Sequence, residues 1–399
     1  MNHDFALAMR QATDLVRAGN AAAATDLILA SLGGQTSGTT GAQPMARPAF
    51  ASLPTYVSVP TDLTGPTPTP SPARAEKPDR KRRRGKIGRN LRDTLAGLAR
   101  AKPQPGRTDE ARLPPLPEGA RFDSGTFTCA AGSRDYRAYV PDLGDAPPAG
   151  LILMLHGCTQ SPVDFAAGTD MNRLAEEQRL IVLYPAQSRG ANMKSCWNWF
   201  APGDQARGAG EPAILAGLTE KFVAQHDVPR DRVFVAGLSA GAAMAVILGQ
   251  SHGDLFAAVG AHSGLPYRAA TDVPSAFAAM AGTPAPGQDQ PGTVRDIPTI
   301  VFHGTADRTV APVNGRRIAD QPGTAGPEII DKGERNGRSY SRAVIAAPDG
   351  RAAVEYWQVD GLGHAWSGGS PAGSYTDPVG PDASAEMVRF FLEVAGPRH

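Results

Sequence analysis

The chain has 399 residues, a length that suits either two or three average domains or one large α/β domain with an extension. Its residues are 41% hydrophobic and 20% charged, and because no apolar run reaches about 18 residues, no transmembrane segment is expected. The net charge of +1 hides a local concentration, since residues 77–92 carry nine Lys and Arg against one Asp.

The first 117 residues are predicted to form an extension. Apolar residues recur at helical spacing in the segments 4–18 and 20–32, which predicts a helical hairpin over residues 1–32. Residues 33–117 are Pro-rich and are predicted to be a largely disordered linker. The basic run 77–92 offers a contact for an anionic polymer or surface. No base-reading motif accompanies it, so specific nucleic-acid binding is not expected.

The N-terminus lacks the uninterrupted apolar core of a secretory signal, because charged residues interrupt the apolar ones from Asp4 onward. The expected location is therefore the cytoplasm. The three cysteines, Cys129, Cys158 and Cys196, are too few for a disulfide scaffold, and an odd number leaves at least one of them unpaired.

From about residue 120 to the end, short apolar runs typical of strands alternate with segments typical of helices. The predicted strands lie in GTFTCAA, RAYVP, LILMLHG, LIVLYP, RVFVAGLS, FAAVGAHSG, IPTIVFHG and AAVEYWQVD. Helices are predicted near 164–178, 211–226, after residue 239, near 313–320 and near 382–394. This alternation predicts an α/β domain over residues 118–399, with a mostly parallel central sheet covered by helices on both faces.

The sequence GLSAG, residues 237–241, lies where a predicted strand meets a predicted helix. In a G-x-S-x-G turn the two glycines remove the Cβ atoms that would clash as the chain turns sharply, and the serine hydroxyl is left exposed above the sheet. Ser239 is therefore a candidate nucleophile. The alternative is an ordinary turn between strand and helix, and the motif alone does not separate the two.

A serine nucleophile needs a base to accept its proton and an acid to orient that base. Asp307 and His364 each follow a predicted strand, and the order Ser239, Asp307, His364 is that of an α/β-hydrolase. Alternatives remain for each residue. Asp307 could cap the helix that begins near Val313, His303 or His262 could be the base, and His364 could be a loop histidine satisfied by the backbone. His364 is favoured because His303 lies within the strand end.

An acyl-transfer intermediate carries a negative oxygen that two N–H groups must stabilise. The backbone N–H of Ala240, directly after the candidate nucleophile, is expected to be one donor. The other is expected to be the N–H of Cys158, because Gly157 allows a tight turn after the strand LILML. The alternative is a plain turn from strand to loop.

Five segments together resemble the esterase family of polyhydroxybutyrate depolymerases, which is related to feruloyl and acetylxylan esterases. They are HGCTQSPVDFAAGTDMNRLAEEQRLIVLYPAQ, CWNWF, GLSAGAAM, HGTADRTV and GHAWSGG, and the resemblance covers roughly residues 118–395. It implies an α/β-hydrolase fold and ester hydrolysis by a Ser-His-Asp triad. It also implies a disulfide between Cys158 and Cys196, which would leave Cys129 free.

Two features depart from the secreted, polymer-degrading members of that family. The sequence has no recognisable export signal, although family members are commonly extracellular, and about 35 residues follow His364, too few for a C-terminal polymer-binding domain. A disulfide also fits poorly with a reducing cytoplasm. Degradation of crystalline extracellular polymer is therefore not the leading expectation.

Aromatic residues and one long loop are expected near the site. Trp197, Trp199, Phe200 and Trp366 could line an apolar wall for the substrate, or they could pack in the core. The Pro-, Gly- and Ala-rich stretch 268–296 could cover the cleft, or it could be a long surface loop.

Two functional hypotheses from different classes follow. The first is a serine esterase that acts on poly- or oligo(3-hydroxybutyrate)-type or other short-chain esters, with feruloyl or acetylxylan esters second. The second is an interaction protein whose hydrolase domain is a scaffold for the N-terminal extension. No metal-ligand spacing is present, so neither a metal nor another cofactor is expected.

Overall fold

The structure is a computed structural model, and it describes residues 113–283, 295–321, 327–347, 350 and 352–397. The predicted hairpin 1–32 and nearly all of the linker 33–117, including its basic run, lie outside these residues. Within the described part of the chain, every helix is too short or too polar to cross a membrane.

Ten strands form one sheet in the order β1-β2-β4-β3-β5-β6-β7-β10-β9-β8. The bounds are β1 Arg121–Cys129, β2 Gly132–Val140, β3 Gly150–Leu155, β4 Leu180–Pro185, β5 Val233–Leu238, β6 Ala258–His262, β7 Thr299–Gly304, β8 Glu328–Arg335, β9 Arg338–Ala346 and β10 Ala352–Val359. The six strands from β4 to β10 in this order pair in parallel, and antiparallel strands flank them on both sides. The expected mostly parallel sheet is confirmed for this central part.

The described helices cover both faces of the sheet. They are α1 Pro162–Thr169, α2 Met171–Gln178, α3 Gly210–Gln225, α4 Ala240–Ser251, α5 Val273–Met280, α6 Val313–Asp320 and α7 Ala383–Ala395. Residues of α1, α2 and α7 pack in one core cluster, whereas residues of α3, α4, α5 and α6 pack in the other.

The central strands are buried on both faces, which explains their continuous apolar sequences. In β3 the side chains of Leu151 and Leu153 belong to one core cluster, and those of Ile152 and Met154 belong to the other. Successive side chains of a strand point to opposite faces, so a strand between two helical layers must be apolar at every position. This pattern was readable from the sequence.

The structure differs from the expected elements at two places. The helix predicted near 164–178 is two helices, because Asp170 between α1 and α2 has φ 51°, outside the range of a right-handed helix. The sequence analysis did not predict the hairpin of β8 and β9. The sequence of β8, EIIDKGER, is exposed at nearly every position and carries neither an apolar run nor a regular alternation.

Two further strands are short and lie beside the candidate site. β11 Trp366–Ser367 pairs with β12 Thr376–Asp377 in a separate two-stranded sheet. The stretch 268–296, predicted to be a cover or a surface loop, contains α5, and its residues 284–294 lie outside the described part of the chain.

Candidate active site

Ser239 lies between β5 and α4 in a strained backbone conformation, with φ 58° and ψ −118°. Its side chain is partly exposed, and its N–H donates to the carbonyl of His262 at 2.9 Å. A Cβ atom at Gly241 would lie 2.0 Å from the carbonyl oxygen of Leu155, and one at Gly237 would lie 2.5 Å from the carbonyl carbon of Gly241. Both glycines of the GLSAG turn are therefore required by backbone contacts.

Asp307 and His364 are hydrogen-bonded to each other in the loops that follow β7 and β10. The distance between His364 Nδ1 and Asp307 Oδ2 is 2.7 Å. The other carboxylate oxygen of Asp307 accepts the N–H groups of Thr309 and Val310, each at 2.9 Å. These bonds fix the carboxylate, and they leave Nε2 of His364 on the side of the ring away from it.

The environment of Asp307 keeps it ionised. Burial alone would raise the pKa of this carboxyl, but the electrostatic interaction with His364 and the hydrogen bonds from His303 and His364 outweigh burial, so the pKa lies well below its usual range. An ionised carboxylate that accepts from Nδ1 holds the imidazole in the tautomer with a free Nε2.

The alternatives left open by the sequence fit this geometry less well. The N-cap residue of α6 is Pro312, and Asp307 does not cap that helix. His303 is fully buried, and its Nε2 bonds to the carbonyl of Val310 at 3.0 Å. His364 therefore remains the candidate base.

His262 has a structural place that the sequence did not reveal. Its ring is fully buried and accepts the N–H of Ser367 at Nε2, at 3.0 Å, while its carbonyl accepts the N–H of Ser239. Burial and the nearby charges of His303 and His364 lower its pKa to about 3, so the ring stays neutral. His262 thus joins the turn of Ser239 to the segment that follows His364.

The N–H groups of Cys158 and Ala240 have no acceptor within the described part of the chain. Their neighbours are engaged: the N–H of Gly157 donates to Gln160 Oε1 at 2.9 Å, and that of Thr159 donates to the carbonyl of Lys194 at 2.8 Å. Cys158 follows β3 and Ala240 follows β5. Because these two strands are parallel neighbours, both N–H groups lie at the same edge of the sheet.

A disulfide joins Cys158 to Cys196 and so links the loop after β3 to the CWNWF segment. Cys129 is left as the free cysteine.

The buried carboxylate of Glu211, which the sequence analysis missed, forms hydrogen bonds with the CWNWF segment. Glu211 accepts both the backbone N–H of Asn198 and its side-chain amide, at 2.8 and 2.9 Å, and it also pairs with Arg134 and Gln187. Burial raises the pKa of Glu211, and the hydrogen bonds from Asn198 and Gln187 offset this only in part. Gln187 in turn donates to the carbonyl of Cys196 at 2.9 Å.

The structure supports core packing for the tryptophans. Trp197 and Trp366 are 0% and 1% exposed, and their indole N–H groups donate to the carbonyl of His156 and the hydroxyl of Ser384. Trp199 is 6% exposed. The burial of Trp197 and Trp366 favours the core-packing alternative for these two, and a substrate-binding role for the tryptophans stays a prediction.

The sequence is similar to a known esterase family and to proteins of that family. The sequence model of the esterase PHB depolymerase family matches residues 135–336, just over half of the chain. Poly(3-hydroxyalkanoate) depolymerase C of Paucimonas lemoignei is 32% identical over 257 residues, which is 60% of this chain and 60% of that protein.

Two further relatives cover shorter parts. Poly(3-hydroxybutyrate) depolymerase of Ralstonia pickettii is 28% identical over 243 residues, 55% of this chain and 48% of that protein. Feruloyl esterase B of Neurospora crassa is 30% identical over 128 residues, 32% of this chain and 42% of that protein. The chain thus spans 60% or less of the length of these relatives. The family match and the α/β-hydrolase fold agree, and the chain belongs to the esterase PHB depolymerase family.

Proposed function

We propose that this protein is a serine esterase in which Ser239 is the nucleophile, His364 the base and Asp307 the residue that orients the base. The observation that carries the proposal is the bond between His364 and Asp307 at the carboxyl ends of β10 and β7, together with a serine in a strained turn at the carboxyl end of β5. These strands run parallel, so the three residues share one edge of the sheet.

Acylation is expected to proceed as follows. Ser239 Oγ attacks the ester carbonyl carbon while His364 Nε2 takes the hydroxyl proton, and the carbonyl oxygen becomes an oxyanion held by the N–H groups of Cys158 and Ala240. When this intermediate collapses, the bond from carbon to the alcohol oxygen breaks. The proton on His364 passes to the departing alkoxide and leaves an acyl-enzyme.

Deacylation repeats the sequence with water. His364 accepts a proton as the water oxygen attacks the acyl carbon, and the proton then returns to Ser239 Oγ as the carboxylic acid leaves. Asp307 stays ionised throughout because its pKa lies far below neutrality, and it stabilises the imidazolium that forms twice in each turnover.

The substrates favoured are poly- or oligo(3-hydroxybutyrate)-type esters and other short-chain esters. Two relatives that match 60% and 55% of the chain are named for depolymerisation of poly(3-hydroxyalkanoate) and poly(3-hydroxybutyrate), whereas the matches to feruloyl and acetylxylan esterases cover between 32% and 45% of it. A feruloyl or acetylxylan esterase is the second candidate. Comparison of kcat/KM on a 3-hydroxybutyrate trimer, ethyl ferulate and acetylated xylan ranks these possibilities.

The triad is tested by hydrolysis of p-nitrophenyl butyrate. Ser239→Ala should lower kcat/KM on the order of 10³-fold or more, since the nucleophile is lost. Ser251→Ala, at the far end of α4, is the matched control and should keep the activity, because its hydroxyl bonds only to the helix carbonyl of Ile247 and to His252. Wild-type turnover by Ser239→Ala would show that another residue is the nucleophile.

A further inference from the structure

A buried polar cluster joins the loop after β3 to the segment between β11 and β12. It consists of Gln160, Asp164 and Ser374, and we refer to it as the Gln160 cluster. Gln160 and Asp164 are 5% and 7% exposed. Gln160 Nε2 donates to Asp164 Oδ2 at 3.1 Å and to the carbonyl of Ser374 at 3.0 Å. Residues 160 and 374 are thus in contact although 214 positions separate them.

On one side, the cluster determines which N–H of the loop after β3 is free. Gln160 Oε1 accepts the N–H of Gly157 at 2.9 Å, and the backbone N–H of Gln160 donates to the carbonyl of Gly157 at 3.3 Å. Both peptide groups that flank Gly157 are therefore held by Gln160. The next N–H along the chain is that of Cys158, the proposed oxyanion donor. Its direction depends on these two bonds and on the bond that His156 Nδ1 donates to the carbonyl of Gly157 at 2.8 Å.

On the other side, the cluster holds the segment that follows His364. Asp164 Oδ1 accepts the backbone N–H of Ser374 at 3.0 Å, and Asp164 Oδ2 accepts its hydroxyl. The next residue, Tyr375, accepts the N–H of Trp366 at 2.8 Å, and Trp366 lies two positions after His364. A continuous path of bonds therefore runs from the Gly157 peptide to the strand that begins just after the proposed base.

The donors and acceptors around it give the Gln160 amide its orientation. A carboxylate accepts hydrogen bonds and cannot donate them, and the carbonyl of Ser374 is also only an acceptor. The NH₂ end of Gln160 must therefore face these two groups, and its oxygen must face the N–H of Gly157. An amide turned the other way would place a donor against the N–H of Gly157.

We propose that Asp164, acting through Gln160 and Ser374, is a positioning residue that holds the Cys158 N–H and the loop of His364 in one fixed arrangement. The proposal rests on the esterase function proposed above. It assigns to Asp164 no contact with the substrate. Its effect is on the stabilisation of the oxyanion, which forms only as the transition state is approached.

The central test compares Asp164→Asn with the wild type. Asn keeps the shape of Asp but has one acceptor oxygen, so its NH₂ group must face either the NH₂ group of Gln160 or the N–H of Ser374, and one of these bonds is lost. We expect kcat on p-nitrophenyl butyrate to fall about 10- to 100-fold with KM changed less than about threefold, somewhat less than the loss of a whole oxyanion donor. The inhibition constant of butylboronic acid, whose tetrahedral adduct places an oxygen at the oxyanion position, should rise in parallel with the loss of kcat.

A second comparison uses Gln160→Leu, which removes all hydrogen bonds of the Gln160 side chain. Its control is Gln321→Leu. Gln321 also bonds to one backbone N–H and one backbone carbonyl, those of Tyr267, at 2.8 and 3.1 Å. Gln160→Leu should lose more stability than Gln321→Leu, because Gln160 is buried and also bonds to Asp164, and only Gln160→Leu should lose kcat and boronic acid affinity. Equal kinetic parameters in the two Leu variants would overturn the proposal.

A second variant keeps the test decisive if Asp164→Asn is poorly folded. Gln160→Glu retains an acceptor for Gly157 but places a second carboxyl beside Asp164, and like charges at this distance raise the pKa of the pair. The ratio of its kcat to that of the wild type should rise as the pH is lowered from about 8 to about 6. A proton shared between the introduced carboxyl and Asp164 then restores a hydrogen-bond donor at position 160. Nearby His156 does not titrate in this range, since burial lowers its pKa to about 4.

The outcomes separate this proposal from the esterase function itself. If Ser239→Ala is inactive while folded Asp164→Asn, or the folded Gln160→Glu at pH 8, keeps wild-type kcat and boronic acid affinity, the positioning role is wrong and the esterase function stands. If Ser239→Ala remains fully active, the esterase function fails and the positioning role fails with it.

Discussion

Gly241→Ala should lower both the catalytic rate and the stability, because backbone atoms occupy the space of the added methyl group. A Cβ at position 241 would lie 2.0 Å from the carbonyl oxygen of Leu155 and 2.6 Å from that of His156. Ordinary contact begins near 3.4 Å, so these backbone atoms must separate by about 1.4 Å. The peptides that move are those leading from β3 to Cys158, whose N–H is the proposed oxyanion donor.

The size of the effect follows from that displacement. A misplacement of about 1 Å at a catalytic group can lower the rate on the order of 10²-fold, and overpacking of this kind typically costs about 1–3 kcal/mol of stability. Replacement of Gly by Ala inside a helix by itself raises the free energy of unfolding by about 1 kcal/mol. We therefore expect kcat for p-nitrophenyl butyrate to fall about 100-fold, and the apparent Tm to fall by several degrees or more because the clash is with backbone atoms.

Gly249→Ala in the same helix is the matched control. A Cβ at Gly249 would lie 2.5 Å from a side-chain methyl group of Val259. Gly249 lies at the opposite end of α4 from Ser239. This variant should lose less stability than Gly241→Ala, because its clash is with a side chain, and it should keep kcat. A folded Gly241→Ala enzyme with kcat within threefold of the wild type would refute the reasoning, since the clash would then be absorbed without moving the loop after β3.

Three further predictions concern the disulfide, a buried ion pair and the N-terminal extension. Cys196→Ser, or reduction of the wild type, should lower kcat more than it raises KM, and thiol titration of the unfolded, unreduced protein should find only Cys129; a titre of three thiols would contradict the bond. Burial would raise the pKa of Glu355, but hydrogen bonds and charges from Arg342 and Arg389 lower it, so its stabilising effect is present above the unfolded value of about 4.3 and is lost as the pH falls. Glu355→Gln should therefore cost about 3 kcal/mol at neutral pH and progressively less below about pH 4, as measured by urea unfolding across pH, and a pH-independent difference would oppose this explanation. A truncated chain that begins at residue 112 should keep full esterase activity, whereas loss of activity in a folded truncated chain would mean that the extension contributes to the site.

The sequence by itself determined the parts of this protein that depend on local patterns. Continuous apolar runs predicted the central strands because each is buried on both faces, as β5 is at all six positions. The GLSAG pattern predicted the turn because backbone contacts at Gly237 and Gly241 exclude any Cβ. The positions of Asp307 and His364 after strands were readable because parallel strands bring their carboxyl ends to one edge.

Only the tertiary structure decided which of several residues of one type plays which part. The sequence offered His262, His303 and His364 as bases, and their surroundings separate them. His262 and His303 are fully buried and bonded to backbone groups, and His303 Nε2 lies 3.5 Å from Asp307 Oδ2. His364 is partly exposed and bonds to Asp307 at 2.7 Å across 57 positions. The hydrogen bond between Gln160 and Ser374 could not be predicted from the sequence either. A hydrogen bond between residues 214 positions apart leaves no local periodicity, because it exists only once the sheet has brought the two segments together.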